Sequence, residues 1–263
     1  MFGGFMGSNA PQDSDWGANL LNTVASNTLR HLFTESDVVD VKVRCQPPSK
    51  LLQGNIDSFK MYGRGLVIRQ DFRTDELSFE TDGVALDFGS VLKGQIALKQ
   101  PTQAIAQVKL TEADINHAFK AQLVRQHLEN LTDERLTSLS GGEPVSFTNV
   151  QLRLLPQNRV QLQADANLVN KVVPVSFSCA LGLEKRRRIT YNAAQFEAAP
   201  VPEDLQGLSQ VLMEILVEIL NEMVDLDRFN LDGVKLRLNR LQTQGEQLLF
   251  SGYAQIDHIP QTG

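Results

Sequence analysis

Residues able to do bond chemistry are scarce in this chain of 263 residues, which has only two cysteines and four histidines. His31, His117, His127 and His258 are far apart, with no pair at metal-ligand spacing and no Cys-His cluster, so no metal site is expected. Cys45 and Cys179 each hold an apolar-phase position in an alternating stretch, which predicts buried free thiols and no disulfide. Ser140 lacks a Gly-x-Ser-x-Gly elbow, and no phosphate loop or dinucleotide fingerprint is present. Asp225 and Asp227, two apart, read as a solvated turn, and Gly63-Arg64-Gly65 as a strand bend. A non-catalytic protein without a cofactor is therefore expected.

Excess positive charge is also missing. The formal net charge is −6, so the molecule as a whole repels nucleic acid and anionic bilayers, and no nucleic-acid partner is expected. No window of eighteen apolar residues occurs, which excludes a hydrophobic spanning helix. The first residues carry no positive charge ahead of an apolar run, and residue 2 is Phe2, so neither a secretory signal nor a myristoylation site is read there. The expected location is cytoplasmic, possible contact being peripheral at a membrane. Residues 1–14 read as a disordered tail and residues 15–260 as a single α+β domain.

With 42% hydrophobic and 21% charged residues, the chain has material for a sizeable core. Pro202 to Val224 supplies its most strongly patterned stretch. On a helical wheel Leu205, Leu208, Leu212, Ile215, Leu216, Ile219, Leu220 and Met223 cover about half the circumference, wider than the roughly 100° of an ordinary surface helix. Glu214, Glu218 and Glu222 occupy the other side, which keeps this helix out of hydrocarbon. A second amphipathic helix is predicted from about Trp16 to Phe33, capped by Asp15.

Elsewhere the period is two. Strands are predicted from Val38 to Cys45, from Ile56 to Arg69 with bends at Gly63 and Gly65, around Leu77 to Thr81, from Gln95 to Lys99 and from Ala104 to Leu110. Thr111 then caps a helix reaching about Gln126. Four strands follow between Val145 and Glu197, and after the long helix a hairpin runs from Leu231 to Asp257 with its turn near Gly245. Asn149–Leu154 and Gly233–Leu238 repeat the same phase and charge placement, as a duplicated unit would or as alternating strands do by default. Many strands with few long helices indicate an antiparallel sheet.

The cluster Lys185-Arg186-Arg187-Arg188 lies between two predicted strands, either as a solvated turn or as a contact for lipid phosphate, to which each basic residue adds about 1 kcal/mol near an anionic surface. A sheet bending around the long helix could leave a slot beside it, or close on it as solid core. Candidate wall residues of such a slot are Leu212, Ile215, Leu216, Ile219 and Met223 on the helix, with Phe59, Phe177 and Phe250 from the strands.

The run Leu51 to Ile68, the run Leu92 to Phe119 and the C-terminal helix and hairpin resemble the LmeA-like phospholipid-binding family. Leu51-Leu52-Gln53-Gly54 and Leu110-Thr111-Glu112-Ala113-Asp114-Ile115-Asn116 carry that resemblance. It implies a tubular lipid-binding (TULIP-like) architecture, a strongly curved antiparallel sheet wrapped around the long C-terminal helix, and a phospholipid or similar amphiphile as partner, held without bond chemistry by a carrier or sensor. The alternative from the residues alone is a protein-interaction or scaffold module with a fully packed core.

Overall fold

The computed structural model describes residues 22–23, 25–26, 30, 33–47, 49–68, 71–93, 95, 97–227 and 233–258, and in it most of the alternating stretches are antiparallel strands. Strand makes up 51% and helix 23%, which makes the fold α+β. The first strands are β1 (Val38–Arg44), β2 (Asn55–Ile56), β3 (Ser58–Ile68), β4 (Phe72–Thr81), β5 (Val84–Ala85) and β6 (Thr102–Thr111). After them come β7 (Ser146–Leu155), β8 (Arg159–Leu168), β9 (Lys171–Glu184), β10 (Arg188–Phe196), β11 (Val234–Gln244) and β12 (Gln247–Ile256). Six of these form one open sheet in the order β1-β3-β4-β6-β12-β11, and four form a second in the order β10-β9-β8-β7.

Short helices fill the connections: α1 (Ser49–Leu52), α2 (Phe88–Leu92), α3 (Glu112–Ala118), α4 (Gln122–Arg125) and α5 (Glu134–Leu139). The long helix, α6, spans Gln206–Met223 and follows a 3₁₀ turn at Glu203–Leu205. It packs on β9 and β10. Leu212, Leu216 and Leu220 are fully buried there, while Glu214, Glu218 and Glu222 face solvent, so the wheel derived from the residues holds. Each such leucine contributes roughly 1.5–3 kcal/mol on burial, which fixes the face that α6 presents. Polar groups fix its position along the sheet: the Ser209 hydroxyl donates to the Pro174 carbonyl at 2.6 Å, and the Asn221 side chain accepts from the Tyr191 amide at 2.7 Å.

Three expectations need correction. The helix begun at Thr111 ends at Ala118, because Ala121 is buried in an extended conformation and breaks the run into α3 and α4. Gln95 to Lys99 is not a strand among the described residues; its pairing is an isolated bridge between Leu98 and Leu86. Cys179 is buried as expected, but Cys45 is only half-buried, at the end of β1. Of the predicted N-terminal helix, Asn22, Thr23, Ala25, Ser26 and Arg30 are helical, and the remainder up to Leu32 lies outside the described residues, as does the tail. Asn149–Leu154 and Gly233–Leu238 fall on β7 and at the start of β11, both sheet edges carrying a bulge and paired to the strand that follows.

The quoted motif Leu51–Gly54 is α1 and its exit. Gly54 has φ +81°, and a Cβ there would sit 2.1 Å from the Leu86 carbonyl oxygen. That close approach lets the Leu86 amide donate to the Gly54 carbonyl at 2.6 Å and aligns β2 with β5. Gly54→Ala should therefore lower unfolding free energy by about 2 kcal/mol in urea titrations, from strain at positive φ and from the displaced backbone. A loss below about 0.5 kcal/mol would show that this contact is dispensable.

Candidate functional site

Residues directly opposite one another in neighbouring strands share a sheet face, and following them across the six-stranded sheet exposes a continuous apolar surface. One row reads Val43, Phe59, Thr81, Ala104, Ala254 and Leu236. The next reads Val41, Met61, Phe79, Ala106, Gly252 and Leu238, and the third Val39, Gly63, Leu77, Val108, Phe250 and Leu241. Small residues, Ala104, Ala106, Gly252 and Ala254, occupy the middle, with larger side chains on both sides. Of these, Ala104, Gly252 and Ala254 are buried and Ala106 is half-buried.

Reverse-face rows are polar: Lys42, Lys60, Glu80, Ile105, Tyr253 and Arg237 in one, Asp40, Tyr62, Ser78, Gln107, Ser251 and Arg240 in another. Lys60 pairs with Glu80 at 2.5 Å, and Lys109 with Glu76 at 2.5 Å. Its hydrogen bond to the Glu76 carboxylate holds the Lys109 ammonium pKa above its usual range.

Burial across the apolar face is uneven. Val39, Val41 and Met61 are sealed by a cluster that includes Ala25 and Leu66, and Ala104, Ala254 and Ile256 form another at the far end. Between them Leu77, Phe79, Ala106, Val108 and Phe250 are only half-buried. Gly252 is required here, since a Cβ would lie 2.1 Å from the Arg237 carbonyl oxygen at the β11 bulge. The bulge takes up one extra residue, Asn239, and so keeps both Leu238 and Leu241 on the apolar side.

The predicted wall residues are divided among these regions. Leu212, Ile215, Leu216 and Phe177 interlock in the closed core between α6 and the four-stranded sheet, each at most 2% exposed. Ile219 and Met223 are half-buried at the margin of that core, in the same cluster as Leu241 of the apolar face. Phe250 stands on the face itself. Phe59 stands on it too, edge-on to Phe79 with ring centroids 6.1 Å apart, in clusters that contain no α6 residue.

Lys185 and Arg186 form the tip of the β9–β10 turn with φ of 48° and 59°. Arg187 pairs with Asp227 at 2.5 Å, Arg188 lies 3.6 Å from Asp225, and Arg186 bonds the Leu238 carbonyl at 3.3 Å and the Asn239 side chain. Hydrogen bonds from Arg187 and Arg237 keep the Asp227 carboxyl pKa below its usual range. Three of the four cations thus help to join β10, the turn after α6 and β11. Lys185 is the outward one, its side chain 73% exposed.

Two features were not legible in the pattern. The first is the grip between the sheets: Glu112 accepts from the Leu154 amide at 2.8 Å, and Asn116 both accepts from the Leu152 amide at 2.7 Å and donates to its carbonyl at 2.9 Å. These residues of the Leu110–Asn116 motif clamp the free edge of β7 to α3. The second is a cavity of about 430 Å3 at the Phe72 end of β4, lined by Thr34, Glu35, Val67, Asp71, Arg73, Asp114 and His117. Arg73 donates to the buried Asp114 carboxylate at 2.8 Å and lies 4.0 Å from Asp37. A further polar cleft of about 420 Å3 lies between the Gln157-Asn158 turn and β11.

Desolvation pushes the Cys179 thiol pKa up to about 12, so it is un-ionised core. Among the described residues no group of His, Cys, Asp or Glu is arranged to hold a metal ion, and no helix is long and apolar enough to cross a membrane.

Open antiparallel sheets, one with an apolar face, and a long C-terminal helix packed on the smaller sheet define an α+β protein. Its family follows from the sequence match: the profile of the LmeA-like phospholipid-binding family covers residues 13–252, and the chain belongs to that family. The family is one of lipid-binding domains and not a known enzyme family. No curated protein matches the sequence.

Proposed function

We propose that this protein binds a phospholipid without bond chemistry, as a carrier or sensor at a membrane surface, with the acyl chains lying along the apolar face of the six-stranded sheet. The carrying observation is the group of half-buried apolar residues Leu77, Phe79, Ala106, Val108 and Phe250 on one face of that sheet, a floor flanked by sealed clusters. Burying apolar surface contributes about 25 cal/mol per Å2, so an acyl chain on such a floor gains what half-covered leucine and phenylalanine side chains also lack. In this reading the sheet curves in the TULIP-like manner. Phe59 and Phe250 are walls, and Ile219 and Met223 form the margin where Leu241 meets the interior. Leu212, Ile215, Leu216 and Phe177 back that margin as fixed core. Lys185, Arg186, Arg187 and Arg188 face the bilayer weakly, because only Lys185 is free of a carboxylate closer than 3.7 Å or of a backbone anchor.

The test is native mass spectrometry of the protein purified from cells, with lipid extraction, alongside uptake of a fluorescent phospholipid from vesicles. A phospholipid mass adduct and saturable uptake are expected. Protein at its apo mass together with no uptake would remove the lipid reading and leave a packed interaction module.

A further inference from the structure

We infer that the cavity at the Phe72 end of β4 receives the head of the bound lipid and selects a zwitterionic one, a phosphodiester beside an ammonium group. This rests on the lipid reading above and adds to it which lipids are taken. Three segments pass from the apolar face, or from the cluster packed against it, into the cavity wall. Phe33 packs in the cluster with Leu77 and Phe79, and two residues on Glu35 lines the cavity. Leu66 is buried in that same cluster and its neighbour Val67 lines the cavity, its amide donating to the Glu35 carbonyl at 2.9 Å and its carbonyl accepting from the Thr34 amide at 2.8 Å. On β4, Leu77 is on the apolar face and Arg73, four residues earlier, is in the cavity. At about 3.3 Å per residue, that places the polar end about 13 Å from the half-buried centre, within the length of an acyl chain.

Charge decides which head fits. Asp114 at 2.8 Å and Asp37 at 4.0 Å already offset the Arg73 charge, so a phosphate that its guanidinium contacts must bring a cation of its own. Glu35 and Asp71 line the same cavity and take part in no ion pair among the described residues. A phosphatidylglycerol head brings an uncompensated negative charge to those carboxylates. Phosphatidylethanolamine instead sets its phosphate against Arg73 and its ammonium against Glu35 and Asp71. The two ammonium–carboxylate pairs together with the avoided repulsion correspond to about a tenfold preference.

The experiment incubates the full chain with vesicles containing equal amounts of phosphatidylethanolamine and phosphatidylglycerol, re-isolates the protein and measures its bound lipids by mass spectrometry. The expected ratio is about ten to one. Glu35→Gln with Asp71→Asn should collapse it to about two to one, with far-UV circular dichroism unchanged because both positions are exposed or half-buried. An even ratio in the unaltered protein, or a ratio that survives the double substitution, overturns the headgroup inference while the lipid reading stands. Recovery of neither lipid overturns both. Soluble phosphoethanolamine bound by a chain that takes up neither lipid would assign the cavity to a free phosphoamine and overturn the lipid assignment.

Discussion

Asp114→Ala should lower the unfolding free energy by about 3 kcal/mol in urea titrations. Asp114 is 5% exposed and sits in a capping box: its carboxylate accepts from the Thr111 amide at 2.9 Å, from the Thr111 hydroxyl at 2.6 Å and from Arg73 at 2.8 Å, while the Thr111 hydroxyl accepts from its amide. Loss of a cap costs about 1 kcal/mol, and loss of charge-assisted hydrogen bonds to a buried carboxylate roughly 1.5–3 kcal/mol. Arg73 is 39% exposed, so its share is screened and the total stays near the lower sum. The same substitution should flatten the acid limb of stability. Burial raises the Asp114 carboxyl pKa, but the Thr111 hydroxyl and Arg73 outweigh it and hold it below its ordinary value of 3.8. A depressed carboxyl stabilises the fold above the unfolded value and loses that contribution as pH falls through the folded one. The unaltered protein therefore weakens below about pH 4, and the variant does so with a shallower slope, other lowered carboxylates such as Asp227 supplying the rest. A loss under 1 kcal/mol with an unchanged acid limb would show that this box carries no structural weight.

Ala106→Trp separates a groove from a packed core. Ala106 lies half-buried between Phe79 and Gly252 in the middle row of the apolar face. If that space takes acyl chains, the indole occupies it, lipid uptake falls at least tenfold and the melting temperature changes little. If the space is filled by the protein's own side chains, overpacking costs about 1–3 kcal/mol and the melting temperature drops by several degrees. Measuring both quantities on one variant gives opposite outcomes for the two readings. Retained uptake with an unchanged melting temperature would place the lipid somewhere other than this face.

The long helix, the final hairpin and most strands were legible because each buries one face against a neighbour, which imposes period 3.6 or period two. β4 was recognised only from Leu77 onward. Phe72 to Glu76 hides its strand character because charged residues take both faces, with Arg73 directed to Asp114 and Glu76 to Lys109. The wall residues on α6 were correctly read as apolar, but a wheel cannot say which of two sheets covers them, and it was β9 and β10 that did. Phe250 was recognised as strand, yet the floor beside it depends on register across six strands, and register between Ala106 and Gly252 has no signature within either segment. The cavity around Arg73 draws on positions 34 to 117 and so has no local pattern at all.

Sheet order also constrains how the molecule comes into being. β6 ends at Thr111, yet one of the two strands beside it, β12, begins only at Gln247. While a ribosome adds the intervening residues, one side of β6 has unsatisfied amides and carbonyls, and the loop eventually closed is long, which slows completion. Until the last hairpin is translated, that edge of the sheet stays open to pairing with another chain.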